Sequence, residues 1–343
     1  MKKHVNIPIF IPHLGCPNNC VFCNQHTISG IEEFDPDGVD LTINEALSTV
    51  SPQSEVEIAF FGGSFTGIDR NLMVYLLSIA HRYVKDGRVK SIRCSTRPDY
   101  INPEILEVLK EYGVTTIELG LQSSSDKVLD LTKRGHSFAD EKNACELIVK
   151  YGFDLVGQMM VGLPGADLES ELETARFISE CGAVGARIYP TVVFNDTDLA
   201  LMAMKGDYTP LSVDEAVIRS ARVLDVFVKN GIEVIRIGLC ASDNLVSDKT
   251  YYDGPNHPAL GELIIGEFYY QNIRSNIELS GGKDKILKVT VSKGSLSKAI
   301  GQKRCNKHRL IEELGYADVV FSESEKLFGY ELITMEERMS QCI

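Results

Sequence analysis

The stretch HLGCPNNCVFCNQ, residues 13–25, carries three closely spaced cysteines. Cys16, Cys20 and Cys23 have the spacing Cys-x3-Cys-x2-Cys. Thiolates at such short intervals are the usual ligands of iron–sulfur clusters, and soft thiolates favour such clusters or zinc over hard cations. Three thiolates on one loop can hold three irons of a four-iron cluster, which leaves the fourth iron free to bind a small molecule. The stretch therefore predicts an iron–sulfur site in an enzyme.

Other interpretations of this loop remain open. His13 and His26 flank the cysteines, and a histidine would complete a Cys3His zinc site with four ligands. A disulfide is less favoured, because three clustered thiols cannot pair evenly and the other six cysteines are scattered singly. This cysteine usage, together with the lack of a small-residue leader cleavage site, predicts a reducing, cytoplasmic location.

Composition and charge narrow the class of protein. The chain has 343 residues, of which 44% are hydrophobic and 24% charged, as in globular proteins. Its apolar runs are shorter than the roughly 18 residues of a membrane helix, so we expect no membrane partner. The net charge of −13 argues against a surface that binds nucleic acid throughout. Nine basic residues and one acid lie between Lys283 and Arg309, whereas the remainder holds 26 basic and 47 acidic residues, which separates the C-terminal part from the body.

Short apolar runs alternate with amphipathic stretches through the first 240 residues. The runs are rich in Ile, Val and Phe and mostly lack alternation, which is typical of strands buried on both faces. Strands are predicted at 6–12, 56–62, 91–96, 115–120, 155–162, 186–193 and 233–239. Helices are predicted at 44–50, 71–85, 103–111, 125–131, 139–150, 169–181 and 213–229.

This order of elements predicts the fold class. Repeated strand–helix units with short connections indicate an α/β protein with a parallel sheet. Six or seven such units with functional motifs at strand ends favour a partial (β/α)6 barrel. A doubly wound open sheet is the competing architecture, but no G-x-G-x-x-G follows the first strand. We therefore predict a barrel over residues 1–240 and a small α+β domain over residues 241–343.

Two predicted strands lead into polar or glycine-rich motifs. The second ends in Gly62, Gly63 and Ser64, and paired glycines let the backbone approach a ligand closely, although they are also common in turns. The third leads through Ser95 into CSTRPDY. Polar side chains at the carboxyl end of a barrel strand tend to face the site, and a capped helix start is an equally good interpretation of this motif.

The next two strands contain polar residues that are unusual in a buried strand. Glu118 and Gln122 lie in IELGLQS, and Gln158 lies within the fifth strand. A buried carboxylate or amide needs a partner, and a polar ligand is one way to supply it. Arg134, in LTKRGHS, is a natural partner for a carboxylate through a two-pronged hydrogen bond.

Seven motifs in this order resemble the radical S-adenosylmethionine (radical SAM) superfamily. They are CPNNCVFC, GGS, CSTRPDYI, IELGLQS, KRGHS, MMVGLPG and RIYPTVV, and they span roughly residues 6–240. The likeness is strongest to the radical SAM domain of the Elongator catalytic-subunit family. Members of that family normally carry an acetyltransferase domain next, and residues 241–343 contain no recognisable acetyl-CoA pyrophosphate loop. The resemblance therefore implies a short, Elongator-like form.

The resemblance implies the cofactors and the reaction type. A [4Fe–4S] cluster would be ligated by Cys16, Cys20 and Cys23. Its open iron would take the amino and carboxylate groups of S-adenosylmethionine (SAM). The reduced cluster would then cleave SAM to methionine and a 5′-deoxyadenosyl radical, which removes a hydrogen atom from the substrate. The protein supplies position and the exclusion of water.

The resemblance also assigns SAM contacts to residues of this chain. The methionyl amine would meet the backbone at Gly62, Gly63 and Ser64, and the adenine would lie near Phe22. Relatives such as the oxygen-independent coproporphyrinogen oxidases hold the SAM ribose and carboxylate at positions that here are Ser95, Gln122, Arg134 and Gln158. Two of those positions are acids in the relatives and are Ser95 and Gln158 in this chain.

The C-terminal part resembles a KH RNA-binding module. Its predicted order is a helix (260–273), two strands (277–279 and 286–291), two helices (296–300 and 306–314) and a strand (318–321). In KH domains a G-x-x-G turn clamps single-stranded backbone, and here that turn would run from Gly301 through Lys303 to Arg304, with arginine in place of the last glycine. Phosphates would meet Lys298, Lys303, Lys307 and Arg309. A basic, solvated helix pair that caps the barrel is the alternative.

Three functional hypotheses follow. The first is a radical SAM enzyme that modifies tRNA and receives electrons from a reductant protein such as flavodoxin or ferredoxin. The second is a radical SAM enzyme that acts on a small metabolite, as coproporphyrinogen oxidases do. The third is an RNA-binding protein whose metal site is purely structural.

Overall fold

The computed structural model describes residues 4–11, 14–17, 19–24, 34–239, 250–277 and 283–338. A seven-stranded parallel sheet forms the larger part, with strand order β1-β2-β3-β4-β5-β6-β8. Its strands are β1 (His4–Ile11), β2 (Glu55–Gly62), β3 (Ser91–Thr96), β4 (Val114–Gln122), β5 (Asp154–Val161), β6 (Gly185–Pro190) and β8 (Glu233–Ile237). The sheet curls into a half-barrel, so the predicted partial barrel is confirmed.

Helices follow the strands along the chain, and most of them pack against the outer face of the sheet. They are α1 (Val39–Thr49), α2 (Arg70–Lys85), α3 (Pro103–Glu111), α4 (Asp126–Leu131), α5 (Phe138–Lys150), α6 (Leu168–Glu180), α7 (Asp198–Lys205) and α8 (Val213–Lys229). Local sequence sets several of their starts. The Asn102 side chain caps α3, and Ser212 with Glu215 forms the capping box of α8 that the sequence predicts.

The structure differs from the sequence prediction in three elements of the barrel part. Helix α1 begins at Val39, five residues before the predicted start, and its two buried residues, Val39 and Ile43, both lie in this added part. The predicted strand 186–193 ends at Pro190, and Val193–Phe194 forms a separate short strand, β7, that pairs with β9 (Tyr251–Asp253). Helix α7 follows β7 and was not predicted.

The inner face of the barrel carries charged side chains that form one network. Arg93 on β3 contacts Glu57 on β2 and lies 3.0 Å from Glu118 on β4 (Nη1 to Oε1). Arg187 on β6 binds the same Glu118 through Nε and Nη2, at 2.7 and 2.8 Å. Gln158 on β5 donates to Glu118 at 2.8 Å. Five neighbouring strands are thus joined by side chains as well as by their backbones.

The C-terminal part is a three-stranded sheet with helices on one side. Its elements are α9 (Leu260–Ser275), β10 (Lys285–Ser292), α10 (Leu296–Ile300), α11 (Cys305–Leu314), β11 (Asp318–Ser324) and β12 (Leu332–Arg338). The sheet order is β11-β10-β12, with β10 parallel to β11 and antiparallel to β12. Helices α10 and α11 pack against α9, and α9 packs against α8 of the barrel.

This arrangement adds an element to the predicted α+β domain. Strand β12 was not predicted, since its Leu332–Arg338 segment has little apolar content. Of the predicted strand 277–279, residue 277 lies in a bend and the rest falls outside the described residues, as does the predicted domain boundary at 240–241. No helix in the described ranges is long and apolar enough to cross a membrane.

Candidate active site

A cavity of about 420 Å³ lies between the cysteine loop and the carboxyl ends of β2 to β5. This is the face of a parallel barrel where ligands usually bind. Of the residues that the resemblance assigns to the cluster and to SAM, the structure brings nearly all together there: Cys16, Cys20, Cys23, Phe22, Gly62, Gly63, Ser95, Gln122, Arg134 and Gln158. Ser64 is the exception: it is buried, and its hydroxyl lies 2.9 Å from Oγ1 of Thr96.

The glycines at the end of β2 serve the packing of the cysteine loop. A Cβ added to Gly63 would lie 2.1 Å from the carbonyl oxygen of Leu14, and one added to Gly15 would lie 2.2 Å from that of Ser64. Gly63 also donates its backbone N–H to Ile11 at 2.7 Å. The two chain segments therefore approach each other more closely than any side chain would allow.

The cysteine loop is anchored from two sides. The backbone N–H of Val21 donates to the carbonyl of Thr132 at 3.2 Å, and its carbonyl accepts from Leu199 in the first turn of α7 at 2.8 Å. The Val21 side chain is buried in a small apolar cluster with Val193 and Leu199. Helix α7, which sequence analysis missed, thus fixes the loop in place.

Two guanidinium groups lie against the sulfur of Cys20. Nη1 of Arg134 is 3.3 Å from Cys20 Sγ, and Nη1 of Arg97 is 3.8 Å from it. Cys20 is buried, while Cys16 and Cys23 are half-buried. Burial raises the pKa of the Cys16 thiol, and a backbone hydrogen bond from Ser64 opposes that rise. The guanidiniums place positive charge where a cluster with thiolate ligands would carry negative charge.

The three thiols do not converge on one point. Within the described ranges, no three His, Cys, Asp or Glu side chains lie close enough together to hold a single metal ion. In a four-iron cluster each thiolate binds a different iron, so the thiols need only surround the cavity, as these do. His13 and His26, the ligands of the alternative zinc site, lie outside the described residues.

Arg97 is a site residue whose role sequence analysis did not find. Its CSTRPDY motif precedes the capped start of α3, where the Asn102 side chain accepts from Ile105, and Ser95, Thr96 and Arg97 of the motif line the cavity. The segment Pro98–Tyr100 is a short 3-10 helix, and the Arg97 side chain points to the cavity wall. Burial acts against the charge of Arg97, but Asp99, at 2.9 Å from Nε, outweighs it and raises the pKa of Arg97 above its ordinary value.

Gln122 combines backbone strain with an unmet hydrogen-bonding group. Its φ is +72°, and the pairing of β4 with β5 shifts register between Gly120 and Gln122. Its Oε1 is buried and has no hydrogen-bond partner within the described structure. Strained residues and buried unsatisfied atoms concentrate at functional sites. The unpaired amide oxygen of Gln122 at the cavity wall is suited to accept a hydrogen bond from a polar ligand.

Glu118 lies below the cavity and is satisfied by the protein itself. Burial would raise its pKa, but the hydrogen bonds and charges of Arg187 and Arg93 outweigh burial and lower it. Two arginines, Arg93 and Arg187, thus supply the partner that the sequence predicts for this buried carboxylate. Gln158 connects Glu118 to the cavity, since its Nε2 also lies 3.3 Å from Oγ of Ser95.

An acidic segment borders the cavity mouth and was not predicted. Asp196, Thr197 and Asp198 line the cavity, and Asp198 pairs with Lys133 at 2.7 Å. A second, open depression continues from this segment along α7. The exposed side chains of Leu201 and Met204 line that depression.

The predicted G-x-x-G turn lies between α10 and α11. Both Lys303 and Arg304 have a left-handed backbone, with φ of +51° and +63°. A left-handed conformation favours glycine, so the turn keeps the geometry that glycine would adopt although arginine stands at its end.

The basic residues of the C-terminal part are largely engaged with acids. Lys307 pairs with Asp318 at 2.8 Å, and Arg309 pairs with Glu267 at 2.6 Å while stacking on the Tyr270 ring. Further pairs join β10 and its following turn to acids on β12 and after β11: Lys285–Glu336, Lys288–Glu337 and Lys293–Glu325. Of the residues predicted to bind RNA, Lys298, Lys303 and Arg304 make no ion pair within the described part of the chain.

A parallel half-barrel with a cysteine-lined cavity at its strand ends defines a class of iron–sulfur enzyme folds, and family comparison agrees with it. A profile of the radical SAM superfamily matches residues 10–178, and a profile of the Radical_SAM C-terminal domain matches residues 183–270. Together they cover more than half of the chain. The chain belongs to the radical SAM superfamily and is an enzyme.

Named relatives add detail to this assignment. An uncharacterized protein of Methanocaldococcus jannaschii is 26% identical over 62% of this chain and 69% of its own length. A tRNA uridine(34) acetyltransferase of the same organism is 27% identical over 48% of this chain and 34% of its own length. Human Elongator complex protein 3 is 29% identical over 50% of this chain and 35% of its own length. The chain thus spans about a third of these last two relatives.

A solved structure shares the fold. The archaeal Methanocaldococcus infernus Elp3 with an N-terminal deletion superposes with a TM-score of 0.62 and 20% identity. The match covers 79% of this chain and 68% of that chain. At this identity the likeness establishes the shared fold.

Proposed function

We propose that this protein binds a [4Fe–4S] cluster and SAM in the 420 Å³ cavity, cleaves SAM reductively, and uses the product to modify tRNA. The observation that carries the first part is the convergence of Cys16, Cys20 and Cys23 with the strand-end residues on that one cavity. The three thiols come from one loop that is pinned to α7 and to the α4–α5 connection. A loop held in this way presents its ligands without further rearrangement.

The cavity residues have distinct proposed roles. The three cysteine thiolates ligate the cluster, and the guanidiniums of Arg97 and Arg134 offset its negative charge. The amide of Gln122 offers its unmet Oε1 to a donor on SAM. The rest of the proposed SAM-binding set is Phe22, Gly62, Gly63, Ser64, Ser95, Arg134 and Gln158.

The chemistry comes from the cofactors, and the protein supplies orientation and a protected site. A cluster held by the three cysteines would, when reduced, supply the one-electron chemistry that cleaves SAM to methionine and a 5′-deoxyadenosyl radical. The cavity lies over a barrel interior whose Glu57, Arg93, Glu118 and Arg187 side chains are paired and buried. This interior closes the floor of the site to solvent, which protects a reactive species from side reactions.

The nature of the relatives supports tRNA as the substrate. Proteins named tRNA uridine(34) acetyltransferase and Elongator complex protein 3 align with this chain. Lys298 at the end of α10 and Lys303 and Arg304 in the following turn support RNA contact, because these cations form no ion pair with an acid in the described structure. A flavodoxin or ferredoxin is the proposed electron donor.

An anaerobic assay tests SAM cleavage. The reconstituted protein, reduced with dithionite and given SAM, should release 5′-deoxyadenosine. A Cys20→Ala variant should lose the product and its bound iron, whereas Cys305→Ser, which changes an exposed cysteine at the start of α11, should retain both. A wild-type protein that binds zinc and releases no 5′-deoxyadenosine would refute the proposal and favour a structural metal site.

A second assay tests the substrate. Total tRNA labelled with deuterium should transfer label into 5′-deoxyadenosine, and RNA binding should weaken with rising salt. The triple variant Lys298→Ala, Lys303→Ala, Arg304→Ala should lose affinity, while a matched triple variant of the ion-paired Lys285, Lys288 and Lys293 should lose less. If tRNA neither binds nor changes turnover while a metabolite extract stimulates it, a small-molecule substrate replaces tRNA.

A further inference from the structure

A chain of polar side chains leads from Cys20 away from the cavity into the protein. Nη1 of Arg97 lies 3.8 Å from Cys20 Sγ, and Nη2 of Arg97 lies 3.5 Å from Nδ1 of His136. Nε2 of His136 lies 3.0 Å from Oε1 of Glu141 in the first turn of α5. The side chains of His136 and Glu141 are fully buried, and neither lines the cavity. Direct contact with a ligand therefore does not account for them.

The direction of these hydrogen bonds follows from their donors. Arginine only donates, so Nδ1 of His136 accepts from Nη2 of Arg97, in a long bond that shares one of the two Nη2 hydrogens with Asp99 or with the Arg134 carbonyl. The ring proton of His136 then lies on Nε2, which donates to Glu141. Burial lowers the pKa of His136 to about 4, with the charges of Arg134 and Arg97 adding to the effect. Burial also raises the pKa of Glu141 well above its ordinary value. His136 is thus neutral near pH 7, and it supports Arg97 without adding charge beside the cysteine loop.

The guanidinium of Arg97 is held by several partners at once. Asp99 accepts from it in a two-pronged pair, at 2.9 Å from Nε and 3.0 Å from Nη2. The carbonyl oxygen of Arg134 accepts from Nη2 at 2.5 Å. Since Arg134 itself reaches Cys20 with its own Nη1, the segment that contains Arg134 and His136 fixes both cations on one sulfur.

We propose that His136 and Glu141 are positioning residues that hold Arg97 against Cys20 and thereby raise the reduction potential of the cluster. This inference rests on the proposed function, because it requires a cluster at the cysteine loop. Hydrogen bonds to the ligand sulfurs and net charge set the potential of such clusters. Reduction adds negative charge, so a guanidinium held on the sulfur stabilises the reduced state more than the oxidised one.

Redox titration of the reconstituted protein, followed by electron paramagnetic resonance, tests this role. At a fixed ambient potential, the ratio of reduced to oxidised cluster should be about tenfold lower in His136→Ala than in the wild type. This corresponds to a midpoint potential that is about 59 mV lower for a one-electron couple. Glu141→Ala should act in the same direction. Glu141→Gln should keep the wild-type potential, because the amide oxygen of glutamine still accepts from Nε2 of His136 and holds the ring in place.

Two further variants complete the test. Glu171→Gln is the matched control, since Glu171 is also buried and pairs with Arg219, away from the cavity. It should leave the potential unchanged. Arg97→Lys keeps the charge but not the two-pronged geometry, and should lower the potential even if His136→Ala does not fold.

Iron and sulfide contents separate the possible failures. If the wild type assembles no cluster, the proposed function fails and this inference fails with it. If His136→Ala or Arg97→Lys carries wild-type iron and sulfide at an unchanged potential, the positioning role is refuted while the proposed function stands.

Discussion

Glu118 in the barrel and Glu325 in the C-terminal part both pair with a basic side chain, but their surroundings are opposite. The Glu118 side chain is fully buried between Arg93 and Arg187, whereas 81% of the Glu325 side chain is exposed next to Lys293. A buried charge has lost its hydration, and only its partners in the protein compensate for that loss. An exposed charge is solvated with or without a partner.

This difference separates two uses of charge in one chain. In the barrel interior, Glu118 pairs with Arg93 on the neighbouring strand β3 and with Arg187 on β6, two strands away, so charge below the cavity helps to define the site. In the C-terminal part, acids on β11, β12 and α9 offset the basic stretch that the sequence highlights. A local excess of basic residues in the sequence therefore becomes a basic surface only where the fold keeps acids away from it, as at Lys298, Lys303 and Arg304.

The largest effect is expected from Glu118→Ala. It leaves Arg93 and Arg187 buried with one shared partner removed, and breaking a buried pair in this way costs about 3 to 5 kcal/mol of the free energy of unfolding. Urea unfolding followed by circular dichroism measures this. A loss below about 1 kcal/mol would mean that water reaches the barrel interior and that the contrast between the two regions is small.

The pH dependence of stability sharpens the same comparison. The pKa of Glu118 is lowered in the folded protein from its ordinary value of 4.5. The unfolded chain therefore takes up the proton first as the pH falls, so the stabilisation is complete above pH 4.5 and is lost as the pH drops through the folded pKa. The difference in unfolding free energy between wild type and Glu118→Gln should shrink between pH 6 and pH 3. A constant difference would show that the carboxylate charge does not stabilise the barrel.

The contacts of the barrel interior show which features of the fold the sequence predicts and which it does not. Strand β3 and helix α3 were predicted with the observed bounds, since Ile92, Cys94 and the Asn102-Pro103 start are local signals. The pairing of Arg93 with Glu118 is not local, because it depends on the register between β3 and β4, which shifts between Ile92 and Arg93. No pattern within one strand encodes such a shift.

Gln122→Gly is expected to have two smaller effects: a gain in stability and a loss of SAM affinity. Glycine adopts a φ of +72° without strain, so the variant should be more stable by about 1 kcal/mol, as measured by thermal unfolding. It also removes the amide at the cavity wall, and SAM affinity should fall about tenfold, as expected from one lost hydrogen bond. Asparagine adopts a positive φ more readily than most residues and keeps a side-chain amide, so Gln122→Asn serves as the control. A glycine variant that is less stable and binds SAM normally would contradict both expectations.

The site itself was partly visible in the sequence. The cysteine spacing and the polar strand ends predicted the residues that line the cavity, because the carboxyl ends of parallel strands meet at one face. Helix α7 was missed because its eight residues are too short for a clear periodic signal. The contact of Arg97 with Cys20 was missed because the two residues are 77 positions apart and only the fold brings them together.

The smallest effect is expected from Lys293→Ala in the C-terminal part. Lys293 and Glu325 are 72% and 81% exposed, so their 2.7 Å contact lies in water and orders two long side chains for little gain. The unfolding free energy should change by less than about 0.5 kcal/mol, and the coupling in a double-mutant cycle with Glu325→Ala should be similarly small and vanish in high salt. A coupling well above 1 kcal/mol would place this pair with those of the barrel. It would also mean that exposure, the property on which the contrast between the two regions depends, does not set the contribution of an ion pair in this protein.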